Sequence, residues 1–191
     1  MLFRCVSLIS LIMFSITQSV LVVIDIQGKL AYLMHEHEKL FKQVQSLLKA
    51  SHVLGIPVIL TEQVPEKIGA TVPEISKSLH EHHHIIKKSF SCCGEPRFLS
   101  TLAHLNRQQI IVCGIEAHVC VIQTVADLRR RDYEVQVVVD ALSARTRESK
   151  ELALDRMKES GATLTMTEML ITELLRTSEH PKFKEILQLI K

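Results

Sequence analysis

A chain of 191 residues suits one domain with a sizeable core. Its composition, 47% hydrophobic and 23% charged, is that of an ordinary soluble globular protein. A net charge of +2 and the absence of tryptophan argue against a nucleic-acid or membrane partner.

Residues 1–18 are read as a hydrophobic leader or N-terminal extension. Met1–Ser19 carries one arginine, the apolar stretch Val6–Ile16 and then TQS, a pattern resembling a signal peptide. That run is too short to span a bilayer as a stable helix. Cleavage near Ser19 would start the mature chain directly in a core strand. The five cysteines are odd in number, with Cys92 and Cys93 adjacent, which fits a reducing compartment. The expectation is a cytoplasmic protein, with secretion or organellar import as the alternative if the leader is a working signal.

Val20–Ile24 is an apolar, β-rich run ending at Asp25. A helical pattern follows from Lys29 to Leu54, closed by Gly55 and Pro57, and Val58–Leu60 is the next strand. Thr61–Ser78, with Pro65, Gly69 and Pro73, reads as a loop of the length that covers or walls a pocket. His84–Lys87 is a third strand, and Glu95–Leu105 a helix with Pro96 in its first turn. Strand Ile110–Cys113 precedes a helix from His118 to Arg131, and strand Glu134–Val139 ends at Asp140. Helix Ser149–Ser160 stops at Gly161. Thr163–Thr165 is a sixth strand, and helices Glu168–Arg176 and Pro181–Ile190 complete the chain. Continuous apolar strands separated by helices predict one α/β domain, residues 19–191, with a mostly parallel sheet covered on both faces.

Ligands of such sheets bind beyond the carboxyl ends of the strands. Asp25 ends the first strand, Lys87 ends the third, and Cys120 follows the fourth where its helix starts. Within Gln109–Leu128, QIIVCGIEAHVCVIQTVADL, the helix dipole and free N–H groups would lower the thiol pKa and could hold an oxyanion. A carboxylate can take the thiol proton, and a lysine can hold both partners in their charged forms. Taken singly, each has an ordinary role: Asp25 as a turn cap, Lys87 as a solvated cation, Cys120 as a small buried hydrophobe. Their joint placement points to chemistry. His80, His82, His83 and His84 are read as solvated, and Cys92 and Cys93 as pocket wall or core. No G-x-G-x-x-G or Walker-type loop supports nucleotide binding.

VLVVIDIQGKL, KKSFSCC and CGIEAHVCVIQTVADL resemble the isochorismatase-like cysteine hydrolase superfamily from about Ser19 to the C-terminus, in particular isochorismatase domain-containing proteins of unassigned substrate. The resemblance implies a Rossmann-like three-layer α/β/α sandwich with a six-stranded sheet, a homo-oligomer and no cofactor. It implies an Asp–Lys–Cys triad at Asp25 of the D-x-Q segment, Lys87 three residues before Phe90 of Phe90–Ser91, and Cys120; Lys88 is the alternative lysine. It implies a cis Ile115–Glu116 bond and an oxyanion hole from the N–H groups of Glu116 and Cys120. Gln27, Phe90 and His118 (two residues before Cys120) are candidate residues of a small-molecule pocket. Thr61–Glu62–Gln63 stands where nicotinamidases carry a metal-binding Asp-x-His, so no metal is expected. Glu116 replaces an aromatic residue of enol-ether-cleaving members, which argues against isochorismate as substrate. The expected function is hydrolysis of a small amide or related carbonyl compound through a thioester. A non-catalytic interaction protein and a redox-active thiol protein using Cys120 with Cys92 or Cys93 are the alternatives. The tail PKFKEILQLIK is a candidate oligomer interface.

Overall fold

The architecture is that of a computed structural model, which describes residues 13–189. Residues 1–12 of the leader and Ile190, at the end of the last predicted helix, lie outside the described residues. Six strands form one sheet: β1 (Ser19–Ile24), β2 (Val58–Gln63), β3 (His83–Lys87), β4 (Gln109–Gly114), β5 (Glu134–Leu142) and β6 (Thr163–Thr165). Their order is β3-β2-β1-β4-β5-β6, and every pairing is parallel.

The helices follow in chain order: α1 (Gly28–Tyr32), α2 (His37–Leu54), α3 (Pro65–Ile68), α4 (Pro73–Ser76), α5 (Pro96–Leu105), α6 (Ile122–Arg129), α7 (Arg147–Glu159), α8 (Thr167–Leu175) and α9 (Phe183–Leu187). Leu21 and Val23 of β1 pack with α2, α4, α8 and α9, whereas Val20, Val22 and Ile24 pack with α5, α6 and α7. Both faces of the strand are therefore dry, which is why it reads as an unbroken apolar run. Each such side chain contributes about 1.5–3 kcal/mol on burial.

Three expectations change. The single helix over Lys29–Leu54 is two, broken after Tyr32. Glu36 there adopts a left-handed conformation, and His35 N–H donates to the Ala144 carbonyl. No glycine or proline marks this break; a tertiary hydrogen bond does. The segment after Leu60 is more regular than a loop: β2 runs on to Gln63, and each proline opens a one-turn helix. The C-terminal tail does not offer its apolar side outward. Ile186 is buried, Phe183 and Leu189 pack on the core beside α2, and Ser46 Oγ donates to the Leu189 carbonyl.

Residues 13–18, grouped by sequence with the leader, are packed onto the domain. Phe14 is 2% exposed, Ser15 N–H donates to Gln109 Oε1, and Arg107 Nη1 donates to the Ile16 and Ser19 carbonyls. Among the described residues no helix is long and apolar enough to cross a membrane.

Candidate active site

The strand order reverses between β1 and β4, so the chain leaves these neighbours toward opposite sides and opens a crevice at their carboxyl ends. Ile24 lies in register with Gly114. A Cβ on Gly114 would meet the Ile24 carbonyl oxygen at 2.2 Å, so this close approach requires glycine. Beyond it the Ile115–Glu116 bond is cis, as the resemblance implied. Ala117–Val121 forms a wide helical turn that carries Cys120 and runs into α6.

On the other side, β3 registers Lys87 beside Gln63 of β2. Ile85 and Lys87 are buried while Ile86 and Lys88 are exposed, so alternation along β3 turns Lys87 inward and Lys88 to solvent. Lys87 Nζ lies 2.5 Å from Asp25 Oδ2 and also donates to Gln63 Oε1 (2.9 Å) and to the Ser89 and Phe90 carbonyls. Asp25 Oδ1 accepts from Thr61 Oγ1 at 2.7 Å. Cys120 Sγ donates to Gln63 Oε1 at 3.3 Å. Thr124 Oγ1 donates to the Cys120 carbonyl and accepts from Cys92 N–H, fixing the turn to the segment after Ser91.

These groups surround a cavity of about 100 Å³. Asp25, Gln27, Gln63, Glu116 and Cys120 form its polar lining; Leu30, Ile68, Phe90, Ile115 and Val119 form its apolar wall. Lys87 lies behind Asp25, outside this lining. His118 is also outside it, its Nδ1 buried without a partner. Gln27 lines the cavity but serves as a brace: Oε1 accepts from Gln63 N–H and Nε2 donates to the Gly69 carbonyl. Glu116 is paired with Arg145, Nε to Oε1 2.8 Å.

The electrostatics differ from the sequence expectation. Burial, then the Asp25 carboxylate, push the Cys120 thiol up to about 12, against an opposing pull from Lys87. The resting sulfur is therefore a thiol, not the thiolate a helix start suggested. Burial alone would lower the Lys87 pKa, but the Asp25 carboxylate beside it raises it overall. Cys92 is fully buried and likewise pushed up to about 12 by burial and Asp25. Cys92 and Cys93 are core residues beside α5 and α6, not cavity wall.

In the sequence, Thr61 and Gln63 stood out only as the counterpart of a metal-binding segment, and Thr124 carried no signal. Thr61 and Gln63 alternate on β2 and obey the same strand-end rule as Asp25; ending that strand at Leu60 hid them. The histidines are dispersed: His80 stacks on His52 at 3.6 Å between ring centroids, and His84 Nε2 meets Glu62 Oε2 at 3.1 Å. Among the described residues no group of three or more histidine, cysteine, aspartate or glutamate side chains is arranged to hold a metal ion.

A six-stranded, all-parallel sheet with helices on both faces matches the isochorismatase-like α/β fold. Residues 19–169 match the Isochorismatase domain, and the chain belongs to that family. It is 38% identical over 172 residues to isochorismatase domain-containing protein 2 of Danio rerio, covering 90% of this chain and 86% of that one. A structure described as the MAR1 ribonuclease of Caenorhabditis elegans matches with a TM-score of 0.89 and 40% identity, over 94% of this chain and 92% of the other. The YcaC product of Escherichia coli, described as an octameric hydrolase of unknown specificity, shares the fold at a TM-score of 0.85 and 21% identity, over 94% and 96%.

Proposed function

We propose that this chain is a cysteine hydrolase that cleaves a small amide or related carbonyl compound through a thioester on Cys120. The observation that carries the reading is one cavity lined by Cys120 and Asp25, with Lys87 Nζ 2.5 Å from the Asp25 carboxylate.

A thiol with its pKa near 12 needs a base during attack. Asp25 takes the proton as the sulfur–carbon bond forms, and Lys87 offsets the negative charge shared by carboxylate and sulfur. The N–H groups of Glu116 and Cys120 receive the oxyanion. In support, the Ala117, Val119 and Val121 N–H groups are already engaged by carbonyls, while Glu116 and Cys120 line the cavity. Asp25 then gives its proton to the leaving amine. Water, activated by the same carboxylate, cleaves the thioester and restores the thiol. General base catalysis of this kind contributes about 10²–10⁴-fold.

Hydrolysis of RNA is a second reading, prompted by the description of the Caenorhabditis elegans relative. The ionisable groups lining the cavity are Asp25, Glu116 and Cys120, which suit a neutral carbonyl better than an anionic phosphodiester. Self-association belongs to the proposal because the Escherichia coli relative is described as octameric, and Leu33, Leu152 and Met169 are 66%, 64% and 58% exposed here. A cytoplasmic setting is supported by the free thiols of Cys92, Cys93, Cys113 and Cys120.

The test is turnover of a panel of small amides, ureas, carbamoyl compounds and RNA by the native chain and Cys120→Ala. Amide turnover lost in the variant is the expected result. RNA cleavage with no amide turnover would replace this reading by the second; amide turnover retained without the sulfur would remove Cys120 as nucleophile.

A further inference from the structure

We infer that the cavity takes short, uncharged aliphatic carboxamides and rejects carboxylate-bearing ones, with Glu116 setting that selectivity. The inference rests on the cysteine-hydrolase reading and adds the substrate class to it.

Size comes first. A cavity of 150 Å³ holds benzene, so about 100 Å³ admits roughly four non-hydrogen atoms before a ligand reaches the mouth at Phe90. The wall that an acyl chain would touch is apolar: Leu30, Ile68, Ile115 and Val119.

Charge decides the rest. The cavity faces a ligand with two carboxylates, Asp25 and Glu116, and no cation among its lining residues. Lys87 cannot serve a substrate anion, because its three N–H donors already meet four acceptors and its side chain is 0% exposed. Arg145 is outside the lining and holds Glu116 from the solvent side; its side chain is 59% exposed against 10% for Glu116. A substrate carboxylate would enter against like charges with no partner, a costly burial. A primary carboxamide instead offers two N–H donors to two carboxylate acceptors.

The same wall favours product release. Cleavage forms a sulfur–carbon bond and breaks the carbon–nitrogen bond, the thiol proton leaving on ammonia by way of Asp25. Water then adds hydroxyl to the acyl carbon and returns a proton to sulfur. The acid so formed gives its proton to ammonia or solvent, and the resulting carboxylate is the species this cavity disfavours.

The experiment compares kcat/KM for propionamide, malonamate and hexanamide in the native chain, Glu116→Gln and Arg145→Ala. Native enzyme should prefer propionamide over malonamate by about a hundredfold or more. Glu116→Gln should narrow that ratio by about tenfold, and Arg145→Ala should widen it. Protection of Cys120 from iodoacetamide by each compound reads binding in any variant whose turnover is lost, and should follow the same order. Equal use of malonamate, an unchanged ratio in Glu116→Gln, or a ratio that narrows in Arg145→Ala would overturn the selectivity inference alone. Absence of turnover for every amide by a folded chain would overturn the hydrolase reading as well.

Discussion

At the scale of single residues, Asp25 has two opposed effects on Cys120. Its charge keeps the thiol protonated, yet it is the base that must remove that proton. The two effects separate in Asp25→Asn. Without the carboxylate, and with Lys87 left as the nearest charge, the thiol pKa should fall. Iodoacetamide should then label Cys120 faster at about pH 8–9, where an ordinary thiol begins to ionise. Amide turnover should fall by about 10²–10⁴-fold in the same variant. Slower labelling together with lost turnover would show that Asp25 activates the sulfur at rest, contrary to this account. The positions of Asp25, Lys87 and Cys120 were legible because strand ends follow from apolar runs. The protonation of Cys120 was not, because burial depth and a carboxylate contributed by another strand are tertiary facts.

At the scale of elements, the segment between β2 and β3 is clasped to the sheet by Glu62. Its Oε1 accepts from Thr71 N–H (2.6 Å) and Thr71 Oγ1 (2.7 Å), and its Oε2 meets His84. Burial alone would raise the Glu62 pKa, but the Thr71 hydrogen bonds and His84 outweigh it and the pKa is lowered. A carboxyl depressed on folding stabilises fully above its unfolded pKa and loses that contribution as pH falls through the folded one. Urea midpoints between about pH 3 and 7 should therefore drop more steeply for the native chain than for Glu62→Gln. Parallel curves would mean that the clasp contributes nothing. This segment also shows where pattern reading stops. The prolines correctly announced irregularity but not the two short helices they open, nor that Ile68, the last residue of the first, reaches the cavity. The core strands were legible because both faces are apolar. The break between α1 and α2 was not, because its cause is a hydrogen bond to the distant Ala144.

At the scale of the whole molecule, residues ahead of β1 close the amino-terminal edge of the sheet. Phe14 is buried against the core, and its backbone meets the side chains of Glu173 and Arg176 beside α8. Phe14→Ala should cost about 3–5 kcal/mol, read as a lower denaturant midpoint at unchanged slope. A midpoint unmoved would mean that this strap is not part of the folded unit. Composition suggested a leader here because the same apolar residues serve a signal and a core equally well. The closed edge leaves chemistry to the opposite one, where a single sulfur–carbon bond defines the proposed reaction. Native chain mixed with p-nitrophenyl propionate, whose fast acylation leaves deacylation limiting, is quenched in acid, digested and weighed by mass spectrometry. A propionyl thioester on the peptide carrying Cys120 is expected, absent in Cys120→Ala together with turnover. An acyl group on any other residue, or turnover undiminished without the sulfur, would contradict the proposed reaction.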